Sequence, residues 1–183
     1  MSNAKSYSWK CLQKKVVYNN PWIRVYEDKV QLPNGHTTLY GIVESKSAFV
    51  GIVPLLDSKT VILVRQYRYI QNEITWEIAS GSIDNTETPE QAAQRELSEE
   101  IGYHAETLEL VSVMHSNKSL MKDKGYIFIA RTLTPCAGEP DETEVFETVQ
   151  LPLTKALDMI KLYEITDCVS IIGLLIAGSR SKL

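Results

Sequence analysis

GSIDNTETPEQAAQRELSEEIGY, residues Gly81 to Tyr103, is the stretch that decides how this chain folds. Thr88-Pro89-Glu90-Gln91 spells a helix start: Thr88 can cap, proline suits the first helical position, and Gln91 completes a capping box. Gly102 is a natural terminator. Between them Ala93, Leu97 and Ile101 recur every four residues and predict a buried stripe. Glu96, Glu99 and Glu100 are expected on an adjoining face, because positions three and four apart are helical neighbours. Three carboxylates there repel one another and sit in the last turn, where the helix dipole disfavours anions. A compensating positive charge is required, and a hard divalent cation selects clustered oxygen ligands. Arg95 precedes Glu99 by four and is placed to pair with it. A solvated acidic face would account for some of these glutamates, but not for a capped, glycine-bounded loop and helix directly after an apolar strand.

The spacing Gly81, five residues, Glu87, seven residues, Arg95-Glu96-Leu97, then Glu99-Glu100 and Gly102 resembles the Nudix box, with all seven fixed identities present. Tyr103 stands where a small aliphatic residue is usual. The resemblance implies an α/β/α sandwich with a mixed sheet and a Mg²⁺-dependent pyrophosphohydrolase, with Mn²⁺ able to substitute. Glu96, Glu99 and Glu100 are then the metal-facing carboxylates, and the Ser80 carbonyl joins the metal shell. Proline is usual where Ala79-Ser80-Gly81 stands, so the approach to the box departs from the family's pattern.

Working outward, Pro33-Asn34-Gly35 separates two extended segments between Trp22 and Val43 and predicts a hairpin. Strands are expected over 48–56, 60–67, 76–78, 108–115, 125–131 and 146–151, and closing helices over 154–163 and 169–177, the first capped by Thr154. The expected organisation is a tag remnant and hairpin dimerisation element over residues 1–47, Met1–Ala4 being the remnant, and a hydrolase domain over 48–183.

The surroundings of the box resemble one branch, the ADP-ribose pyrophosphatases and related nucleoside-diphosphate-sugar hydrolases. Val64-Arg65-Gln66-Tyr67-Arg68 is similar to that branch's strand, which makes Arg68 the phosphate clamp, a guanidinium fork matched to phosphate oxygens. The hairpin implies a homodimer in which Trp22 and Tyr40 stack on a nucleobase; ordinary packing of strand aromatics is the competing reading. Where the branch carries Ser-Pro-Gly, this chain has Ser116-Asn117-Lys118-Ser119, which offers Lys118 to the distal sugar. In the acidic segment 138–144, Glu144 matches the branch's base or water-positioning residue, with Glu142 as alternative, and Glu99 is the other candidate base. ADP-ribose is the first candidate substrate. GDP- or UDP-sugars, dinucleoside polyphosphates, and a non-catalytic nucleotide-sugar sensor are the alternatives.

Composition sets the bounds. With 183 residues and a formal net charge of −4, the chain suits one core domain with an N-terminal addition, and neither nucleic acid nor an anionic membrane is an expected partner. Cys11, Cys136 and Cys168 are far apart, so reduced thiols are expected in place of a zinc or disulfide framework. His36, His104 and His115 are equally scattered. No leader pattern opens the sequence and its apolar runs are short, which gives a cytoplasmic expectation. The terminal Ser181-Lys182-Leu183 matches a peroxisomal address, the alternative in a eukaryote.

Overall fold

The computed structural model describes residues 7–138 and 147–181. They fall into two compact units, Met1–Ser47 with His115–Asp123, and Ala48–Met114 with Lys124–Leu183. No helix among the described residues is long and apolar enough to cross a membrane.

The first unit is built on the expected hairpin. Strand β3 (Ile23–Gln31) pairs antiparallel with β4 (Thr37–Ser45), in a register running from Ile23 opposite Ser45 to Gln31 opposite Thr37. Two strands not anticipated from the sequence, β1 (Lys10–Gln13) and β2 (Val16–Asn19), both pair with β3. A short strand, β10 (Met121–Lys122), adds parallel to β4. Tyr26 and Val30 are buried on one face of β3, as period-2 alternation demands, whereas Trp9, Tyr18, Trp22 and Leu39 are exposed.

Glu44 is a titrating anchor of this sheet. Its carboxylate accepts from the Lys122 ammonium and, at 2.6 Å, from the Tyr26 hydroxyl. Lys122 first, then Tyr26, hold the Glu44 carboxyl down to about 2, against an ordinary 4.5. Because the folded value is the lower one, the pair's stabilisation is complete above 4.5 and is lost as pH falls towards about 2. Glu44→Gln is therefore expected to flatten the acid limb of a denaturation-versus-pH curve in that window. Parallel curves for the two proteins would show that the pair contributes nothing.

The second unit is an α/β sandwich. Strands β5 (Phe49–Pro54), β8 (Ala79–Ser82), β9 (Tyr103–Met114) and β11 (Gly125–Pro135) form a mixed sheet in the order β8-β5-β11-β9, in which β5 and β11 are parallel. Strands β6 (Thr60–Arg68), β7 (Glu73–Glu77) and β12 (Glu147–Pro152) form a second, antiparallel sheet in the order β12-β6-β7. Helix α1 (Pro89–Glu96) covers one face of the mixed sheet, where Val50, Ile52, Phe128 and Ala130 pack with Ala92, Ala93 and Leu97. Alternate residues Val53 and Ile129 face the opposite core, with helices α2 (Leu153–Lys161) and α3 (Cys168–Arg180). Burial on both faces explains why β5 reads as a continuous apolar run.

Three local expectations are corrected. The box helix does not run unbroken to Gly102, because Leu97–Ile101 forms one wider π-type turn that ends at Gly102 with φ 76°. Such turns are frequent at functional sites. Thr154 does not cap α2: Pro152 occupies the capping position with no side-chain bond, and the first free N–H, from Leu153, donates to the Lys59 carbonyl at 2.6 Å. The strand expected at 76–78 is in fact two, because the chain leaves the antiparallel sheet at Glu77 and enters the mixed sheet at Ala79. Asp167 caps α3 instead, accepting from the Ser170 N–H at 2.8 Å.

Candidate active site

The box folds as its local chemistry requires. Thr88 Oγ1 accepts from the Gln91 N–H and the Gln91 side chain accepts from the Thr88 N–H, so the capping box is complete. The loop before it is tied by Arg95, whose guanidinium reaches back to Glu87 at 2.8 and 3.1 Å and to the Ser82 carbonyl at 2.8 Å. The same guanidinium donates to Glu96 at 2.8 Å and to Glu99 at 2.9 Å. Glu87 first, then Glu96 and Glu99, raise the Arg95 proton affinity, and Arg95 in turn holds the Glu87 carboxyl below its usual range. The compensating charge demanded by the acidic turn is thus supplied in part by the chain itself.

Glu96 and Glu100 are buried, at 7% and 6% exposure, while Glu99 is partly exposed and shares Arg95 Nη1 with Glu96. Glu100 accepts from the Ser80 N–H at 3.1 Å. Glu96 lies against Gly81 so closely that a Cβ there would sit 1.9 Å from Glu96 Oε1. Glycine at position 81 is the space in which that carboxylate rests. Among the described residues no three acidic, histidine or cysteine groups converge into a finished cation cage. Two buried carboxylates four residues apart, facing a glycine-cleared strand, nevertheless match the hard oxygen donors that Mg²⁺ takes.

Arg68 ends β6 and leads into a tight turn, in which the Asn72 N–H donates to the Arg68 carbonyl at 2.8 Å and Asn72 adopts φ 56°. Its guanidinium forks onto Glu77, Nε to Oε1 at 2.9 Å and Nη2 to Oε2. Glu77 is 4% exposed and also accepts from Thr75 Oγ1 at 2.5 Å. Burial pushes the Glu77 carboxyl up, but the bonds from Arg68 and Thr75 outweigh it and leave it below its ordinary value. Glu77 chiefly raises the Arg68 proton affinity, with smaller contributions from Asp167 and Glu100. Arg68, Thr75, Glu77 and Asp167 line a cleft of about 410 Å³ with Gln71 and Thr166. Arg65, by contrast, lies over the Trp76 ring and pairs with Glu147.

In the first unit the structure regroups the substrate candidates. Trp22 and Tyr40 do not face each other within one chain. Lys46 donates to the Trp22 carbonyl and Tyr40 pairs with Asp28, which separates the two by six ladder positions, or about 20 Å. Tyr40 instead meets Trp9 edge-on, 5.6 Å between centroids, and its hydroxyl donates to the Ser119 carbonyl at 2.7 Å. Lys118, placed by sequence at the opposite end of the ligand, lines the same cavity of about 480 Å³ as Tyr40, with Ile42, His115 and Leu120. Glu144 and Glu142 lie outside the described residues, as do Lys182 and Leu183 of the terminal tripeptide.

Sequence reading missed Glu77, Glu87 as the anchor of Arg95, and Asp167. Glu77 had a usable signal: it is a lone carboxylate in the otherwise apolar run Trp76-Glu77-Ile78-Ala79, where burial without a partner is prohibitive.

Comparison with known proteins supports the fold. A NUDIX domain family model matches residues 46–165, and a model of the nucleoside diphosphate sugar hydrolase N-terminal domain matches residues 9–43. The ADP-ribose pyrophosphatase of Bacillus subtilis (strain 168) is 30% identical over 165 residues, covering 89% of each chain. The methanol dehydrogenase activator of Bacillus methanolicus is 28% identical over 171 residues, covering 92% of each. A crystal structure of an ADP compounds hydrolase superposes with a TM-score of 0.87 at 26% identity, over 95% of this chain and 94% of that one.

Proposed function

This chain belongs to the NUDIX family of hydrolases, and on that premise we propose that it is a Mg²⁺-dependent pyrophosphohydrolase of nucleoside diphosphate sugars, with ADP-ribose as its first substrate. The observation that carries the reading is the buried pair Glu96 and Glu100 along one strand, Glu96 against Gly81 and Glu100 accepting from the Ser80 N–H. The ADP-containing names of two relatives support the choice of base.

Glu96 and Glu100, joined by Glu99 and the Ser80 carbonyl, are the proposed holders of Mg²⁺, or of Mn²⁺ in its place, which when bound neutralises pyrophosphate charge and acidifies water. Arg68 binds a pyrophosphate oxygen through the N–H groups that Glu77 leaves available. Arg95 fixes the direction of Glu99. A water oxygen bonds to one phosphorus as the bond from that phosphorus to the bridging oxygen breaks, and the water's proton passes to a carboxylate, Glu99 or Glu144. The products are a nucleoside monophosphate and a sugar phosphate. Positioning and charge stabilisation supply most of the acceleration, as is usual at phosphorus.

The exposed aromatic and aliphatic side chains of the first unit, Trp22 at 73% and Leu39 at 62%, support a homodimer. A base clasped by both Trp22 and Tyr40 needs rings from two copies, given their separation in one.

The test is a hydrolysis screen over ADP-ribose, GDP-mannose, UDP-glucose and diadenosine polyphosphates, with and without Mg²⁺, alongside light scattering. Metal-dependent release of AMP, fastest from ADP-ribose, from a protein that scatters as a dimer is expected. Preference for GDP-mannose would move the substrate, and a fully active monomer would remove the two-copy base site.

A further inference from the structure

We infer that Glu77 is the positioning residue for Arg68: a buried carboxylate that fixes the direction of the guanidinium and leaves its remaining donors for the substrate. The inference rests on the reading of Arg68 as the phosphate clamp and adds a second residue to it.

An arginine at a strand end carries several rotatable bonds, and ordering such a side chain costs conformational entropy when a ligand has to do it. Here the ordering is done beforehand. Two of the guanidinium nitrogens, Nε and Nη2, are committed to the two oxygens of Glu77. That bidentate fork fixes the plane as well as the position of the group, so the remaining Nη1 edge has one orientation. Glu77 is itself fixed, because its carboxylate is buried and takes a further bond from Thr75 Oγ1. The backbone beneath it is held too: the Ile78 N–H, which follows Glu77, donates to Ser170 Oγ at 3.0 Å, and the Ser170 hydroxyl donates to the α3 cap, Asp167, at 2.8 Å. Ser170 is fully buried. The chain Asp167–Ser170–Ile78 therefore pins the residue next to Glu77 to the start of a helix, and Glu77 pins Arg68.

A bare arginine would serve if attraction alone were needed. A carboxylate beside it partly cancels its charge, which is costly for long-range attraction and useful only where direction matters more than charge. Both oxygens of Glu77 are engaged by the Arg68 guanidinium, so its effect passes through Arg68.

The test is a double-mutant cycle with Glu77→Gln and Arg68→Ala, read on kcat and KM for the best substrate of the screen and on equilibrium binding of inorganic pyrophosphate. Glu77→Gln is expected to raise KM, and to weaken pyrophosphate binding, about tenfold with kcat changed less than about threefold; tenfold is 1.4 kcal/mol. The double variant is expected to be no worse than Arg68→Ala alone, because a positioning residue has nothing left to position. Independent, multiplicative losses, or an unchanged KM and pyrophosphate affinity in Glu77→Gln, overturn the inference. A wild-type protein that hydrolyses nothing in the screen overturns the proposed function instead, and the pyrophosphate cycle still decides the role of Glu77. If Glu77→Gln does not fold, Thr75→Val replaces it, removing one bond to the same carboxylate, and the same non-additivity with Arg68→Ala is required.

Discussion

Glu100→Gln is expected to lower Mg²⁺-dependent turnover by at least about 10²-fold while the protein stays folded. Changing an outer partner of a metal ligand typically costs 10–100-fold, and loss of a ligand itself should exceed that. Stability should hold because the amide keeps the shape of the carboxylate and an oxygen for the Ser80 N–H, and because a buried charge is removed. The check is steady-state hydrolysis against Mg²⁺ concentration, with thermal unfolding of both proteins. Near-normal turnover in Glu100→Gln would show that the ligand set has been misassigned.

Gly81→Ala is expected to cost a comparable loss of turnover by a different route. The added methyl would lie 1.9 Å from Glu96 Oε1 and 2.1 Å from its carboxyl carbon, so the carboxylate has to leave its place. Glu96 is flexible enough to swing, but it is buried and bonded to Arg95, so departure also disturbs the Arg95 network. Overpacking of this kind costs about 1–3 kcal/mol. Gly81→Ala should thus lose both activity and a few degrees of melting temperature, where Glu100→Gln loses activity alone. A fully active Gly81→Ala enzyme would mean that Glu96 needs no fixed place.

Why these two positions were legible in sequence, and others not, follows from the range of the interactions. The capping box, the Gly102 stop and the Arg95–Glu99 pair are all made between residues three or four apart, or at one helix end. The hairpin turn at Pro33-Asn34-Gly35 is equally local. The π-type turn at Leu97–Ile101 has no such local spelling, and Glu100 is buried within it. Strands β1 and β2 are exposed on all their residues and gave no alternating pattern to read. Tyr40 and Lys118 are 78 positions apart in sequence, and only the parallel addition of β10 to β4 brings them to one cavity. The fork between Arg68 and Glu77 likewise depends on the register of β6 with β7.

The crossing at Ile78 sets a rule on insertions and deletions. Arg68 and Glu77 hang from the antiparallel sheet, Ser80 and Gly81 from the mixed one, and a single residue joins the two frames. Because side chains alternate along a strand, one residue gained or lost between Glu77 and Gly81 would invert the facing of everything on one side of the join. The phosphate-facing half and the carboxylate-facing half of the site would then point apart. The interval from Glu77 to Gly81 is therefore as rigid a ruler as the box itself, whereas the Asp57–Lys59 turn can lengthen without moving either half. Length variation in descendants of this chain should accumulate at such turns and skip that five-residue measure.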